Sequence, residues 1–567
     1  MKEIKKKLAE SIREALKTIR PEAETDPNEI ASLFEYPPEG RGDLALPCFK
    51  FSKILHMAPP QIAQAILEKT SLPEIEKAET AGGYLNFYLK DSYFAGNLLD
   101  SILLKGFDCG RTDLGKGKTV LLDYSSPNVA KPFHIGHLGT TVIGHSLKKM
   151  HEYAGYTCVG INHLGDWGTQ FGKLIVAYRK WGSEKEVNAK GISELVALYV
   201  RFHREAETDK ALEDEARREF TKLEHHDEEN LRLWKWFVDL SIAEYKKTYE
   251  LLGIEFDSYC GESFYTDKMP EQVDLLREKG LLKLDDGASI VDLSDYNMPP
   301  CLILKKDGST LYPTRDIAAA VYRKRTYDFD KCLYVTSAGQ CLHFAQWFKV
   351  AELMGYDWAD RLVHIPYGTV SINGAKLATR TGNVVLLADL FDAAIGKVRE
   401  IIEEKNPALE NKEEVAKAVG TGAIVFGYLS NNRIKDTNFI LENALSFEGD
   451  TGPYAQYTYA RASSILAKAG KYERVIPSSV NAHEKALIKT LILFPEKVLA
   501  ALAEYEPSVI VHYILDVCSD FNRFYHECPI HSAEGNTRAF RLSLTQATQY
   551  VLGAALELIC MKKTEKI

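Results

Sequence analysis

The sequence runs to 567 residues, of which 45% are hydrophobic and 26% charged, and its formal net charge is −9. One hydrophobic core does not organise a chain of that length, so three or four domains are expected of an ordinary globular composition. The acidic balance excludes indiscriminate binding to polyanions, and any nucleic-acid contact must be local. Residues 451–567 carry thirteen Lys/Arg against eleven Asp/Glu, which leaves the acidic excess in the first 450 residues.

The amino terminus spaces Ile4, Leu8, Ile12, Leu16 and Ile19 three or four apart among charges and reads as an amphipathic helix. It lacks the apolar core of a secretory signal, and no later stretch is long enough to span a bilayer, so a cytoplasmic protein is expected. The ten cysteines are scattered without a CxxC pair, so neither zinc nor another resident metal is expected. Residues 1–110 read as a small α/β domain with a strand near Tyr84–Leu89, followed by a linker rich in glycine and charge.

From Thr119 short apolar runs alternate with helices: Val120-Leu121-Leu122, a helix from about 134, Thr157–Ile161, and a helix near 168–181. This alternation predicts βαβ units and a Rossmann-like parallel sheet over 111–385. The charged stretch at about 184–250 is a predicted helical insertion. The sheet pattern is expected to resume with Ala288–Val291, Leu302–Leu304, Leu333–Val335 and Leu362–Ile365. Beyond 385 the periodicity is helical, giving a connecting region over 386–440 and an all-α bundle over 441–567.

Strand 120–124 runs through Ser125-Ser126-Pro127-Asn128-Val129-Ala130-Lys131-Pro132-Phe133 into His134-Ile135-Gly136-His137 and a helix. A strand that turns into a helix presents unpaired N–H groups and partial positive charge to an anion outside the strand ends. His134 and His137, one turn apart, can donate hydrogen bonds to a triphosphate, and Gly136 allows a flat adenine close to the backbone. The segment resembles the HIGH signature of class I aminoacyl-tRNA synthetases.

A second class I signature, KMSKS, is matched in part by Ala375-Lys376-Leu377-Ala378-Thr379-Arg380-Thr381-Gly382-Asn383. Lys376 holds the first lysine position, Leu377 and Ala378 replace Met and Ser, and Arg380 holds the later basic position. The resemblance implies that Lys376 and Arg380, with Lys131, neutralise the phosphates of ATP as pyrophosphate leaves.

A guanidinium ligand calls for carboxylates in a partly desolvated pocket, because its donors are costly when unpaired. Tyr312 and Asp316 lie four apart where a helix begins, and Asp123 ends the HIGH strand. The run Tyr312-Pro313-Thr314-Arg315-Asp316 resembles the Y-x-T-R-D segment of arginyl-tRNA synthetases, and His163–Gly172 is similar to the same family. The resemblance implies that Tyr312 and Asp316, assisted by Asp123, hold the substrate guanidinium, with Ser126, Asn128 and Gln340 at its α-amino and carboxyl end. Taken singly, Asp316 could cap its helix, Asp123 could pair with a lysine, and Asn128 could hold a turn.

Asp450–Ala462 resembles the first helix of the arginyl anticodon-binding domain, which implies tRNA contacts by Tyr454, Tyr457 and Arg461, and residues 1–110 resemble the family's N-terminal domain, which implies one by Asn86. The implied reaction is ATP-dependent activation of L-arginine, Mg²⁺ accompanying ATP, and transfer to the terminal ribose of tRNA(Arg) by a monomer.

Overall fold

The computed structural model describes residues 1–38, 40–306, 308–372, 375–376 and 385–567, with the backbone alone for 372, 375 and 376. The chain divides into two compact units. One comprises residues 1–110, 461–496 and 516–553, and the other 111–460, 497–515 and 554–567.

In the first unit, α1 (Lys2–Ile19) buries Ile4, Leu8, Ile12 and Leu16, the stripe its spacing predicts. Strands β1 (Leu44–Pro47), β2 (Ile75–Ala81) and β3 (Tyr84–Leu89) form an antiparallel sheet in the order β1-β3-β2. The β2–β3 turn uses Gly82 at φ +62°, and a Cβ on Gly83 would meet the Phe49 ring at 2.7 Å. This sheet is joined to late helices of the same unit by charge. The buried Asp43 carboxylate accepts the Leu89 N–H at 2.7 Å and pairs with Lys489 and, at 3.8 Å, with Lys485. Lys485 also reaches Asp91 at 3.1 Å, while Glu496 takes Lys5 at 3.5 Å and the Tyr36 hydroxyl at 2.8 Å.

The second unit is built on four parallel strands: β4 (Thr119–Asp123), β5 (Thr157–Ile161), β6 (Lys331–Ser337) and β7 (Leu362–Tyr367), in the order β7-β6-β4-β5. The central β4 is buried from Val120 to Asp123, as a strand covered on both faces must be. α2 (Leu138–Tyr153) makes the β4–β5 crossover, and four helices lead on to α3 (Glu228–Leu252) between β5 and β6. Among these, Glu184–Lys190, Ile192–Ala206, Ala211–Glu224 and α3 fill the stretch read as a helical insertion. α4 (Tyr312–Tyr327) precedes β6.

Two expectations are corrected. Ala288–Val291 and Cys301–Leu304 do not extend the parallel sheet; with Leu282–Asp285 they form a separate antiparallel one. The Asp286-Gly287 turn, with φ of 44° and 81°, closes a two-residue hairpin, whereas a parallel neighbour requires a long crossover. The chain beyond 385 is also not wholly helical, because Thr437–Phe439 pairs in parallel with Val370–Ile372. Three residues are too few to show a period.

Burial holds two α2 imidazoles neutral: His145 is pushed down to about 3 and His151 to about 4. An unfolded histidine takes up its proton near pH 6.5, so this contribution to stability is complete above that pH and is lost as pH falls toward 4. The unfolding midpoint should therefore drop between pH 7 and 5. His145→Asn should flatten that slope by about one proton, or about 1.4 kcal/mol per pH unit, in thermal melts followed by circular dichroism. An unchanged slope in the variant would count against the assignment.

Candidate active site

Past Asp123 the chain takes a conformation that non-glycine residues avoid: φ is +69° at Ser125, +44° at Ser126 and +57° at Ala130. Left-handed non-glycine residues cost on the order of 1 kcal/mol or more each, so the surrounding structure must hold them. The Ser125 N–H donates to Thr140 Oγ1 at 2.9 Å, and that hydroxyl donates to the Val335 carbonyl at 2.7 Å. Ser125 Oγ lies 2.8 Å from the Tyr249 hydroxyl and accepts from Thr141 Oγ1 at 2.9 Å. The Ala130 N–H donates to Ser241 Oγ at 3.1 Å, and the Tyr245 hydroxyl reaches the carbonyls of Asn128 and Lys131 at 2.8 and 2.9 Å. Ser241, Tyr245 and Tyr249 thus form one polar row, four residues apart, on α3. The sequence reading missed these three; the i, i+4, i+8 hydroxyls in a helix were the available signal.

The loop delivers the histidine pair. His134 Nδ1 accepts the Gly136 N–H at 3.0 Å and His137 Nδ1 accepts the His134 N–H at 3.2 Å, with the ring centroids 4.1 Å apart. An accepting Nδ1 on a neutral ring puts the proton on Nε2, so each imidazole has an N–H left to donate. Burial keeps both neutral: it lowers His134, and it takes His137 down to about 3, assisted by the neighbouring His134. Gly136 has a local reason to lack a side chain, since a Cβ there would sit 2.7 Å from the His134 ring.

A cleft of about 600 Å³ opens at the carboxyl ends of the parallel strands. Asp123, Ser126, Asn128, Lys131, His137, Tyr312, Asp316 and Gln340 all line it, so most of the predicted small-molecule residues converge there. Tyr312 is 64% exposed, with the Arg315 guanidinium 5.7 Å from its ring centre.

The acids of the cleft already have partners. Asp123 pairs through Oδ2 with Arg323 Nη2 at 2.8 Å and accepts Ser126 Oγ at 2.9 Å on Oδ1, so an arginine takes the role a lysine could have had. Arg323 is 1% exposed and lies on the α4 row of Tyr312, Asp316 and Ala319. Glu262 pairs with Arg315 at 2.8 Å. Burial pushes the Glu262 carboxyl up to about 7, with Arg315 pulling it down and Asp316 and Asp166 pushing it up. Asp316 Oδ2 is bonded to His343 Nε2 at 2.6 Å. Arg323, Glu262 and His343 were not found from the sequence; Arg323 follows Asp316 by seven residues, which places it on the same helical face.

The remaining predicted residues fare differently. Lys376 is described by its backbone, which pairs with Ser371, and Arg380 lies outside the described residues. Tyr457 is 41% exposed and Tyr454 half-buried in the second unit. Arg461, in the first unit, donates to Asn522 Oδ1 at 2.5 Å with its guanidinium 5.3 Å from the Tyr525 ring centre. Asn86 lies on the central strand β3 and is 4% exposed. Among the described residues, no group of three His, Cys, Asp or Glu is placed to hold a metal ion, and no helix is long and apolar enough to cross a membrane.

The model of the catalytic domain of class I (R) tRNA synthetases matches residues 98–441, that of the DALR anticodon binding domain matches 455–567, and that of the arginyl tRNA synthetase N terminal domain matches 2–89. A parallel sheet, a HIGH turn at its switch point and an acid-lined cleft beside it define a class I aminoacyl-tRNA synthetase. The chain is 52% identical to the arginine–tRNA ligase of Alkaliphilus metalliredigens over 95% of its own length and 96% of that relative. It is 48% identical to the arginine–tRNA ligase of Halothermothrix orenii over the full length of both. The solved arginyl-tRNA synthetase of Thermus thermophilus superposes with a TM-score of 0.82 at 27% identity, covering 99% of each chain. This chain belongs to the arginyl-tRNA synthetase family.

Gly136→Ala should displace the His134 ring and lower the rate of adenylate formation by about tenfold, the equivalent of 1.4 kcal/mol of barrier. ATP–pyrophosphate exchange measures it, with circular dichroism confirming that the fold is kept. A variant with parental exchange would dissociate the histidine geometry from catalysis.

Proposed function

We propose that the cleft activates L-arginine with Mg²⁺-ATP and passes the arginyl group to the 3′-terminal ribose of tRNA(Arg). The observation that carries this reading is Asp316, a carboxylate in the cleft whose described partner is an imidazole rather than a protein cation. The substrate guanidinium binds there and against Tyr312, with Asp123, its own charge met by Arg323, as the assisting acid. Ser126, Asn128 and Gln340 hold the α-amino and carboxyl end. The arginine carboxylate attacks the α-phosphorus, a P–O bond forms as the bond to the bridging oxygen breaks, and pyrophosphate leaves. The ribose hydroxyl then attacks the activated carbonyl carbon and AMP departs.

No protein nucleophile is needed, so catalysis is positioning and charge stabilisation. His134 and His137 donate their Nε2 protons toward the phosphates, and Lys131, Lys376 and Arg380 offset the charge of the leaving pyrophosphate. Mg²⁺ travels on the phosphates of ATP rather than in a protein cage. We assign residues 1–110 and 441–567 to tRNA binding, with Tyr454, Tyr457 and Arg461 at the anticodon side, 111–385 to chemistry and 386–440 to the connection. We assign the enzyme to the cytoplasm and treat it as a monomer.

ATP–pyrophosphate exchange with each amino acid, with and without tRNA, tests the reading: arginine alone should support exchange, and its failure in every condition overturns the proposal. Asp316→Ala should lower kcat/KM for arginine by about a hundredfold, since an unpaired guanidinium would remain in the cleft. Tyr457→Ala should raise the KM for tRNA several-fold and leave the KM values for arginine and ATP unchanged; an unaltered tRNA KM removes that residue from the surface.

A further inference from the structure

The acids that line the cleft are not equivalent. Asp123 and Glu262 each hold a guanidinium belonging to the protein, with N–O distances of 2.8 Å in both pairs. Asp166, behind the cleft, accepts the Ser263 N–H at 2.8 Å and its hydroxyl at 2.6 Å. Asp316 alone of these is met by an imidazole: His343 Nε2 stands 2.6 Å from Oδ2, and Oδ1 makes no hydrogen bond among the described residues. The two side chains come from different elements, α4 and the helix Cys341–Leu353 that follows β6, and both are about three-quarters buried, at 26% and 29% exposure. His343 is itself held, its ring 5.5 Å from that of Phe344, which stacks on His364 at 4.4 Å and an interplanar angle of 9°.

A planar guanidinium binds a carboxylate well only when the carboxylate plane is fixed to receive its donor fork. A protein arginine or lysine at position 343 would fix Asp316 but cancel the charge the substrate needs. An imidazole donates an N–H that fixes the plane, and it carries no permanent charge of its own. We propose that His343 is a positioning residue for the arginine substrate, holding Asp316 through Oδ2 so that the rest of its carboxylate is presented to an incoming guanidinium. This rests on the reading of Asp316 as the guanidinium acceptor.

The test uses the full-length enzyme and steady-state exchange kinetics on His343→Leu, His343→Gln, Asp316→Asn and the double variant Asp316→Asn/His343→Leu. His343→Leu should raise the arginine KM about tenfold, the equivalent of 1.4 kcal/mol, with kcat and the ATP KM within about threefold of the parent. His343→Gln, which retains an N–H donor, should recover most of the arginine KM. The double variant should be little worse than Asp316→Asn, because a positioning residue has nothing to position once its partner is lost. Loss of kcat and of ATP affinity together, without rescue by glutamine, identifies a packing role and overturns the proposal. So does an additive double variant. If His343→Leu does not fold, the comparison of His343→Gln with His343→Ala carries the same decision. An unchanged arginine KM in Asp316→Asn instead sinks the underlying site assignment, whatever His343 does.

Discussion

The pair between Asp123 and Arg323 ties together the two segments on which the site depends. Asp123 is the last residue of β4, where its backbone pairs with Ile161 of β5 and Tyr334 of β6, and Arg323 lies on α4, the helix that begins at Tyr312. Both side chains are nearly out of water, so the pair resists separation more strongly than a surface ion pair would: removing one partner from such a pair typically costs about 3–5 kcal/mol. The histidine loop and the Tyr312–Asp316 turn are therefore aligned by one desolvated contact. The left-handed residues after Asp123 add strain at the same corner, and the α3 hydroxyls hold it.

That arrangement also explains how a cleft with several carboxylates avoids collapse through mutual repulsion. Burial is the main cause of the raised Glu262 carboxyl, and the neighbouring charges of Asp316 and Asp166 push it further in the same direction. Built-in guanidinium groups on Asp123 and Glu262 relieve most of that repulsion. What is left among the described lining residues is Asp316, the carboxylate whose hydrogen-bond partner is an imidazole rather than a guanidinium. On the proposed role of Asp316, selectivity for a cation follows from which acid is free of a protein guanidinium, not from how many acids are present.

Much of this was legible in the sequence because it depends on period and punctuation. The 3.6-residue stripe of α1, the alternation of β4, α2 and β5, and the HIGH and Tyr312–Asp316 segments all report local geometry. Contacts across long sequence separations were not legible. Nothing near Asp123 announces Arg323, two hundred residues later, and the α3 tyrosines look like ordinary core until the loop they support is seen. The hairpin at Asp286-Gly287 was misread for a related reason: a short apolar run has the same appearance in a parallel sheet and in an antiparallel one, and only the two-residue turn tells them apart.

The first unit is assembled from the two ends of the chain, with Lys5 meeting Glu496 across 491 positions and Asp43 meeting Lys485 and Lys489. On a ribosome the first 110 residues emerge with part of their core and the partners of their buried charge still unmade. At synthesis rates of roughly 5–20 residues per second they wait on the order of 20 to 75 seconds for the segment around residue 490. During that interval the second unit can close its own sheet, since β4 to β7 are all available by residue 367. The order of birth thus gives the parallel sheet a head start over the amino-terminal domain, whose buried Asp43 waits for Lys485 and Lys489.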